Sequence, residues 1–557
     1  MSDMAQPLTD VAIAQAHALE PITEIADRAG IPRDAVVAYG RNKAKVDITR
    51  LGNTRPEGKL ILVTGISPTP AGEGKSTVLI GLTDAMTRLG RKAAAALREP
   101  SQGPVMGVKG GAAGGGYSQI VPMEEINLHF TGDFHAISAA TNTLAAIVDN
   151  HVQQGNVLGI DSRRIVWQRC IDVNDRSLRD VVTGLGGPAH GTPRETGFTI
   201  TAASEIMAVL CLASDLADLK DRLSRLTVAF TFDDEPVTAG ELGVTGALAA
   251  LMKDAINPNL VQTLGGTPAY VHGGPFANIA HGCNSLIATR VALQHADVVL
   301  TEAGFGSDLG AEKFFDIKAR SGGLDVNGAV IVATIRSLKY NGGMPRDELT
   351  REDLDFLRAG VKNLARHVSN IQQFGVTPVV ALNLFTSDTP AERAFMKAWA
   401  KDFTVPLAEV EVWAKGGEGA EDLARLVLDN LSKKSTSLYD PSKGVEKSIE
   451  TIAKRIYRAE RVEYSAKARK DLAVLKANGW DTLPVCISKT PYSFSDDPAQ
   501  LGAPTGHTLH VRELIPRTGA GFVVALTGAV MTMPGLPSRP AADNIDIDVD
   551  GKISGLF

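Results

Sequence analysis

Residues 59–89 read KLILVTGISPTPAGEGKSTVLIGLTDAMTRL. The first seven, KLILVTG, form a continuous apolar run, the pattern of a strand covered on both faces. From Ser76 onward, Val78, Leu82, Ala85, Met86 and Leu89 recur at helical spacing, and Gly90 supplies a stop. Between them lies a glycine-containing loop, so the segment predicts strand, loop and helix in that order.

The same alternation continues outward. Residues 93–97 predict the next strand, and DVVL at 297–300, AVIVATI at 329–335 and TPVVAL at 377–382 predict further ones, each separated by helix-like sequence. Repeated strand–helix–strand units imply a largely parallel sheet with helices on both faces and functional groups at the carboxyl ends of its strands. The fold class is therefore α/β, P-loop NTPase-like, with smaller α/β C-terminal domains. The divisions expected are 1–365 for a large nucleotide-binding domain, 366–455 for a second α/β domain and 456–557 for a small C-terminal one. The charged stretch 446–476 reads as a surface helix or a connector into the last unit.

Composition removes several classes of function. The 57 Lys+Arg against 63 Asp+Glu leave a net charge of −6, which gives a polyanion binder no basic surplus. Four scattered cysteines without a C-x-x-C argue against a disulfide framework or structural zinc. The N-terminus lacks a basic n-region, and the uncharged stretch 519–538 is broken by Gly521, Gly528, Pro534, Gly535 and Pro537, so it reads as a buried strand and loop. These features predict a cytoplasmic protein with no membrane or nucleic-acid partner.

The loop Thr69-Pro70-Ala71-Gly72-Glu73-Gly74-Lys75-Ser76-Thr77 suits a nucleoside triphosphate. Small residues let backbone N–H groups converge on phosphates, Lys75 meets the β/γ charge, and Ser76 or Thr77 offers a hydroxyl to Mg²⁺. Thr69 stands where the generic motif has its first glycine. Beyond the second strand, Arg98-Glu99-Pro100-Ser101 places a guanidinium at a strand end, where it can grip a phosphoryl or carboxylate group; a plain Arg98–Glu99 surface pair is the alternative. Gly107–Tyr117 is glycine-dense but carries an embedded Lys and Tyr that flexible linkers do not use.

These residues resemble a family. GVKGGAAGGGY at 107–117 and VATIRSLKYNGG at 332–343 are similar to the two signature segments of formate–tetrahydrofolate ligase. The resemblance continues through REPSQGPVMG at 98–107, LHFTGDFHAISAATN at 128–142, PRETGFTITAASEIMAVLCLA at 193–213, HGGPFANIAHGCNS at 272–285, TEAGFGSDLGAEKFFDIK at 301–318 and TMPGLPSRPAA at 532–542. It covers essentially the whole chain, as in the monofunctional bacterial type, and Thr69 is what the family carries.

The resemblance implies an ATP-dependent ligation of formate to tetrahydrofolate through formyl phosphate. It implies ATP with Mg²⁺, tetrahydrofolate as substrate, K⁺ or NH₄⁺ as activator, and a homotetramer. Lys75 is the candidate for γ-phosphate stabilisation, Ser76 for Mg²⁺, and Arg98 with Glu99 for the reacting centre. Asp133 resembles a residue near the reacting amine, although it also suits the cap of a helix from His135 onward. Phe385 and Trp413 resemble the pterin-stacking pair, with Phe305 a third candidate near the formyl site; each single aromatic is also an ordinary packing residue. Two other readings compete. GLGGPA at 184–189 satisfies a dinucleotide-binding pattern but lacks its strand–helix context, and the loop alone also fits a nucleotide-driven switch.

Overall fold

The computed structural model describes residues 8–52, 56–69, 72–108, 113–528 and 530–556. Pro70 and Ala71 of the loop, 109–112 of the glycine segment and Ala529 lie outside the described residues.

The path of the main sheet runs through β1 (Val36–Ala38), β2 (Ala44–Val46), β3 (Lys59–Gly65), β4 (Ala93–Leu97), β5 (Asn259–Thr263), β6 (Pro268–Val271), β7 (Val298–Gly306), β8 (Val326–Ala333), β9 (Pro378–Asn383) and β10 (Leu407–Val410), and the short strands Ser118–Val121 and Gly114–Gly115 join it off β5. Their spatial order is β1-β2-β5-β6-β4-β7-β3-β8-β9-β10. From β6 to β10 every pairing is parallel, whereas β1, β2 and β5 join as an antiparallel extension at one edge.

Side chains alternate along a strand, so a strand buried on both faces feeds two cores. Leu60 and Leu62 of β3 join one cluster with Ala94, Val299, Ile331 and Leu382, while Ile61 and Val63 join the other with Ala95, Leu300, Val332 and Ala381. Helix α1 (Lys75–Arg88) covers the second face through Val78, Leu82 and Met86. Helices α2 (Leu286–His295) and α3 (Leu354–Gln372) cover the first through Val291, Leu357, Leu364 and Ile371. Each such fully buried aliphatic contributes about 1.5–3 kcal/mol, which is why the apolar runs become inner strands.

The predicted strands appear, with shifts that have local causes. The strand predicted at 297–300 runs on to Gly306 through an irregularity between Glu302 and Gly306. The one predicted at 329–335 starts earlier and stops at Ala333, because Thr334 caps the next helix with a reciprocal Ser337 bond. The division expected at 365/366 falls inside α3, and β9 and β10 extend the same sheet as β3, so 366–455 does not build a sheet of its own. The C-terminal part does: Val485–Ser488, Glu513–Arg517 and Phe522–Leu526 form a separate three-stranded sheet. The stretch 446–476 is not one helix. It contains Val445–Ile452, a turn Ala453–Tyr457, a strand Arg461–Tyr464 paired with Thr508–Val511, and Ala466–Ala477. Arg458 is the break, at φ 60 in the left-handed region. Among the described residues no helix is long and apolar enough to cross a membrane.

Candidate active site

Each predicted site residue that the structure describes lies at or just beyond the carboxyl ends of β3, β4, β7, β9 and β10, or on a helix entering that edge. Gly74 holds a left-handed conformation at φ 73 and starts α1, so Lys75 and Ser76 are its first residues. A Cβ on Gly74 would stand 2.7 Å from Asn383 Nδ2, and one on Gly65 would stand 3.0 Å from the Lys75 stem. Both glycines therefore allow close approaches that a side chain would block. Asn383 also donates from Nδ2 to the Glu73 carbonyl at 3.2 Å, which ties the loop to β9.

The Glu73 carboxylate, buried, turns back into the loop. It accepts the Thr69 backbone N–H at 2.7 Å and the Thr69 hydroxyl at 3.1 Å, and its other oxygen is 3.7 Å from Lys75 Nζ. Thr69 at the generic glycine position thus has a reason, since its hydroxyl braces the loop. The loop's entry is fixed from behind by α3. Ser67 N–H donates to His367 Nε2 at 2.8 Å, which leaves the His367 proton on Nδ1 to face Ser307 Oγ at 2.7 Å. Burial pushes His367 down to about 4, so the ring is neutral as this pattern requires.

The centre of the cleft is Glu302 on β7, between β3 and β4. One carboxylate oxygen accepts the Ser76 hydroxyl at 3.0 Å and the other accepts Arg98 Nε at 3.2 Å. Its side chain is 1% exposed, against 18% for Arg98. The Arg98–Glu99 surface pair does not form. Arg98 instead turns to Glu302, and Glu99 goes the other way into a buried polar cluster.

In that cluster Lys45 Nζ is 2.7 Å from Asp133 Oδ1, Asn259 Nδ2 donates to Asp133 Oδ2 at 2.8 Å, and Lys45 also donates to the Asn257 carbonyl at 2.9 Å. Glu99 is buried; burial first, then the Asp133 carboxylate, raise its pKa well above the ordinary range. Asp133 opens the helix Asp133–Gln153, but that helix has no side-chain cap, so the capping alternative falls away. His272 closes the cluster, held by Ser285 Oγ at 2.7 Å and the Ala255 carbonyl at 2.6 Å, and burial pushes it down to about 4.

The aromatic candidates stand at neighbouring strand ends. Asn383 of β9 pairs with Val410 of β10, Phe385 follows the first and Trp413 the second. Trp413 is 42% exposed, with its indole N–H on Asp10 Oδ1 at 3.2 Å. Phe385 has one face covered by the Arg336 guanidinium at 3.6 Å, and its backbone N–H donates to Asp388 Oδ2 at 2.8 Å. Phe305 lies in the irregular end of β7 at φ 62, a left-handed backbone that costs a bulky residue about 1–2 kcal/mol. The GLGGPA segment lies between short strands Val181–Thr183 and Arg194–Thr196 with only a 3₁₀ turn between them, so it opens no dinucleotide-binding helix.

Glu302, Lys45, Arg336, Asn383 and His367 were not singled out from sequence. Glu302 alone left a signal, as a carboxylate inside an apolar strand in DVVLTEAG.

A parallel sheet that brings a glycine-bounded loop, a guanidinium and a buried acid pair to the carboxyl ends of its strands defines an α/β protein with a polar cleft at that edge. The family model for formate–tetrahydrofolate ligase matches residues 8–557. A formate–tetrahydrofolate ligase of Corynebacterium diphtheriae is 69% identical over 550 residues, covering 99% of this chain and 100% of the relative. One from Renibacterium salmoninarum is 57% identical and one from Staphylococcus epidermidis 56% identical, each covering 100% of both chains. The chain belongs to the formate–tetrahydrofolate ligase family.

Proposed function

We propose that this protein ligates formate to tetrahydrofolate at the expense of ATP, giving 10-formyltetrahydrofolate, ADP and phosphate through formyl phosphate. The observation that supports the reading is Glu302 accepting from Ser76 of the loop and from Arg98 at once, so the groups read as a triphosphate site and as an oxyanion grip are joined by one carboxylate. Formate is a poor acyl donor because hydroxide is a poor leaving group; phosphorylation replaces that group with phosphate. A formate oxygen attacks the γ-phosphorus as the bond to the ADP oxygen breaks. Lys75 and Arg98 spread the charge that builds on the phosphoryl oxygens. N10 of the folate then attacks the formyl carbon, the carbon–oxygen bond to phosphate breaks, and the N10 proton passes to Asp133.

Ser76 Oγ and the Glu302 carboxylate are hard oxygen donors at hydrogen-bond distance, a set that fits Mg²⁺ carried with ATP; the ion supplies charge neutralisation there. Phe385 and Trp413 bind the pterin, and Phe305 closes the formyl site. The K⁺ or NH₄⁺ activation, the homotetramer and the cytoplasmic location are proposed from the family resemblance. Lys45 already supplies the positive charge beside Asp133, and no donor set is assigned to the monovalent cation.

The test is isotopic. With ¹⁸O-labelled formate, one label must appear in the released phosphate, and ADP release must require both formate and tetrahydrofolate. Unlabelled phosphate would remove formyl phosphate from the scheme, and ADP release independent of formate would favour a nucleotide-driven switch.

A further inference from the structure

Away from the cleft, the outward side of α3 meets the turn Ala453–Tyr457, and three guanidinium groups gather there. Arg366 Nη1 is 3.5 Å from the carbonyls of Tyr457 and Pro504, Arg458 Nη2 donates to Ser369 Oγ at 3.2 Å, and Arg455 donates to Gln373 Oε1 at 2.9 Å and to the Leu438 carbonyl at 3.2 Å. Every acceptor is neutral. Among the described residues none of the three forms an ion pair, although their neighbour Arg320 pairs with Asp316 at 2.8 Å. Asp496, which faces the adjoining His507, is engaged by His510 at 2.9 Å.

Three like charges drawn together without a carboxylate repel one another. Arg366 and Arg458 are half-buried; burial first, then the next arginine in the chain of contacts, lowers the pKa of each. Arg458 closes the preceding helical turn with a left-handed backbone at φ 60. Like charges gathered without a counter-ion set up a positive field that an anion relieves. Guanidinium groups in this number match a tetrahedral oxyanion, whose oxygens accept several charged donors at once.

We propose that Arg366, Arg455 and Arg458 form a second oxyanion site, distinct from the loop at 69–77, that takes a phosphate-class dianion. The two sites share α3. Arg366 covers the Phe494 ring at 5.4 Å, His367 tilts against the same ring at 4.7 Å, and His367 holds Ser67 at the loop's entry. The inference rests on the cluster alone and holds whatever reaction the cleft performs.

The test uses the full-length chain carrying Lys75→Ala, which weakens phosphate contacts in the cleft. Inorganic phosphate and ATP are titrated calorimetrically in separate arms at constant ionic strength set with chloride. Inorganic phosphate is expected to bind, and adding Arg458→Gly or Arg366→Gln is expected to weaken it at least tenfold. Tighter binding of ATP than of phosphate, lost with Arg458, would name a nucleotide's phosphates as the source; equal binding would name the free anion. Glycine suits the left-handed position, so Arg458→Gly is expected to keep the parent's Tm while losing the phosphate-dependent rise in Tm. In the Lys75-containing chain, Arg458→Gly is expected to leave the KM for ATP unchanged. Equal phosphate affinity with and without Arg458, or no binding above the chloride control, overturns the proposal.

Discussion

Replacing Glu302 separates its two partners most directly. Among the described residues its carboxylate accepts from Ser76 Oγ at 3.0 Å and from Arg98 Nε at 3.2 Å, from a position 1% exposed. Glu302→Gln keeps the shape, and an amide can still accept from Arg98 and donate to Ser76. It loses the charge. The Ser76 bond passes from charged to neutral, at about 1 kcal/mol, and Arg98 loses the charge of its partner, at about 1 kcal/mol more for a pair with one side part-exposed. Glu302→Ala leaves Arg98 without its partner, which costs about 3–5 kcal/mol for a buried pair and falls at the low end here because Arg98 retains some solvent. At about 1.4 kcal/mol per factor of ten, kcat/KM should fall about 30-fold for Gln and at least about 100-fold for Ala. The assay is formate- and tetrahydrofolate-dependent ADP release, with KM for ATP and for formate measured separately. Both should change, because Glu302 serves the loop and the guanidinium together. If both variants keep kcat/KM within about threefold of the parent, or if only one substrate's KM moves, Glu302 does not join the subsites and the cleft as described is wrong.

Gly74→Ala puts a methyl 2.7 Å from Asn383 Nδ2 on a left-handed backbone; the strain of about 1–2 kcal/mol should raise the KM for ATP about tenfold and leave the KM for tetrahydrofolate near the parent's. Trp413→Ala, at a ring 42% exposed, should leave Tm almost unchanged; losing about 1 kcal/mol of stacking should raise the KM for tetrahydrofolate about fivefold with the KM for ATP unmoved. His367→Gln tests pH dependence. A histidine held near 4 in the fold and near 6.5 unfolded leaves the unfolded chain with the extra proton between those values, so stability from this group is present above 6.5 and lost as pH falls toward 4. From pH 7.5 to 5 the parent should lose about 2 kcal/mol through this ring that the Gln variant does not. The gap between their Tm values should therefore narrow at pH 5, and a gap independent of pH would mean that His367 is not buried neutral.

How much of this was readable in the chain follows from what each residue's partners are. KLILVTG announces a strand because every residue must meet apolar neighbours on one of two faces, and Leu60 and Ile61 do enter different cores. The loop is legible because its chemistry is local: Gly74, Lys75 and Ser76 act within one turn of each other. Glu99 and Arg98 are adjacent in sequence yet serve different clusters, and nothing local says so, because the strand sends successive side chains to opposite sides. Lys45 meets Asp133 only once β2 has been placed beside β5, an antiparallel addition that the parallel reading did not contain. The charged run at 446–476 misled for a related reason. Charge spacing reports a solvated face, but the chain turns at Arg458, left-handed at φ 60, and a strand follows before the next helix.

Glu302 marks the boundary between the two kinds of information. A carboxylate in the middle of an apolar strand is costly unless charged donors receive it, so its presence in DVVLTEAG demands partners without naming them. The sheet order names them. β7 runs between β4 and β3, so the strand ahead of Arg98 and the strand ahead of the loop are its two neighbours. Any residue at that height on β7 faces both ends, and only an acid can accept from a guanidinium on one side and a hydroxyl on the other while retaining a negative charge for a cation brought with the nucleotide. The parallel order therefore turns one unexplained carboxylate into the joint between the loop that opens α1 and the guanidinium beyond β4.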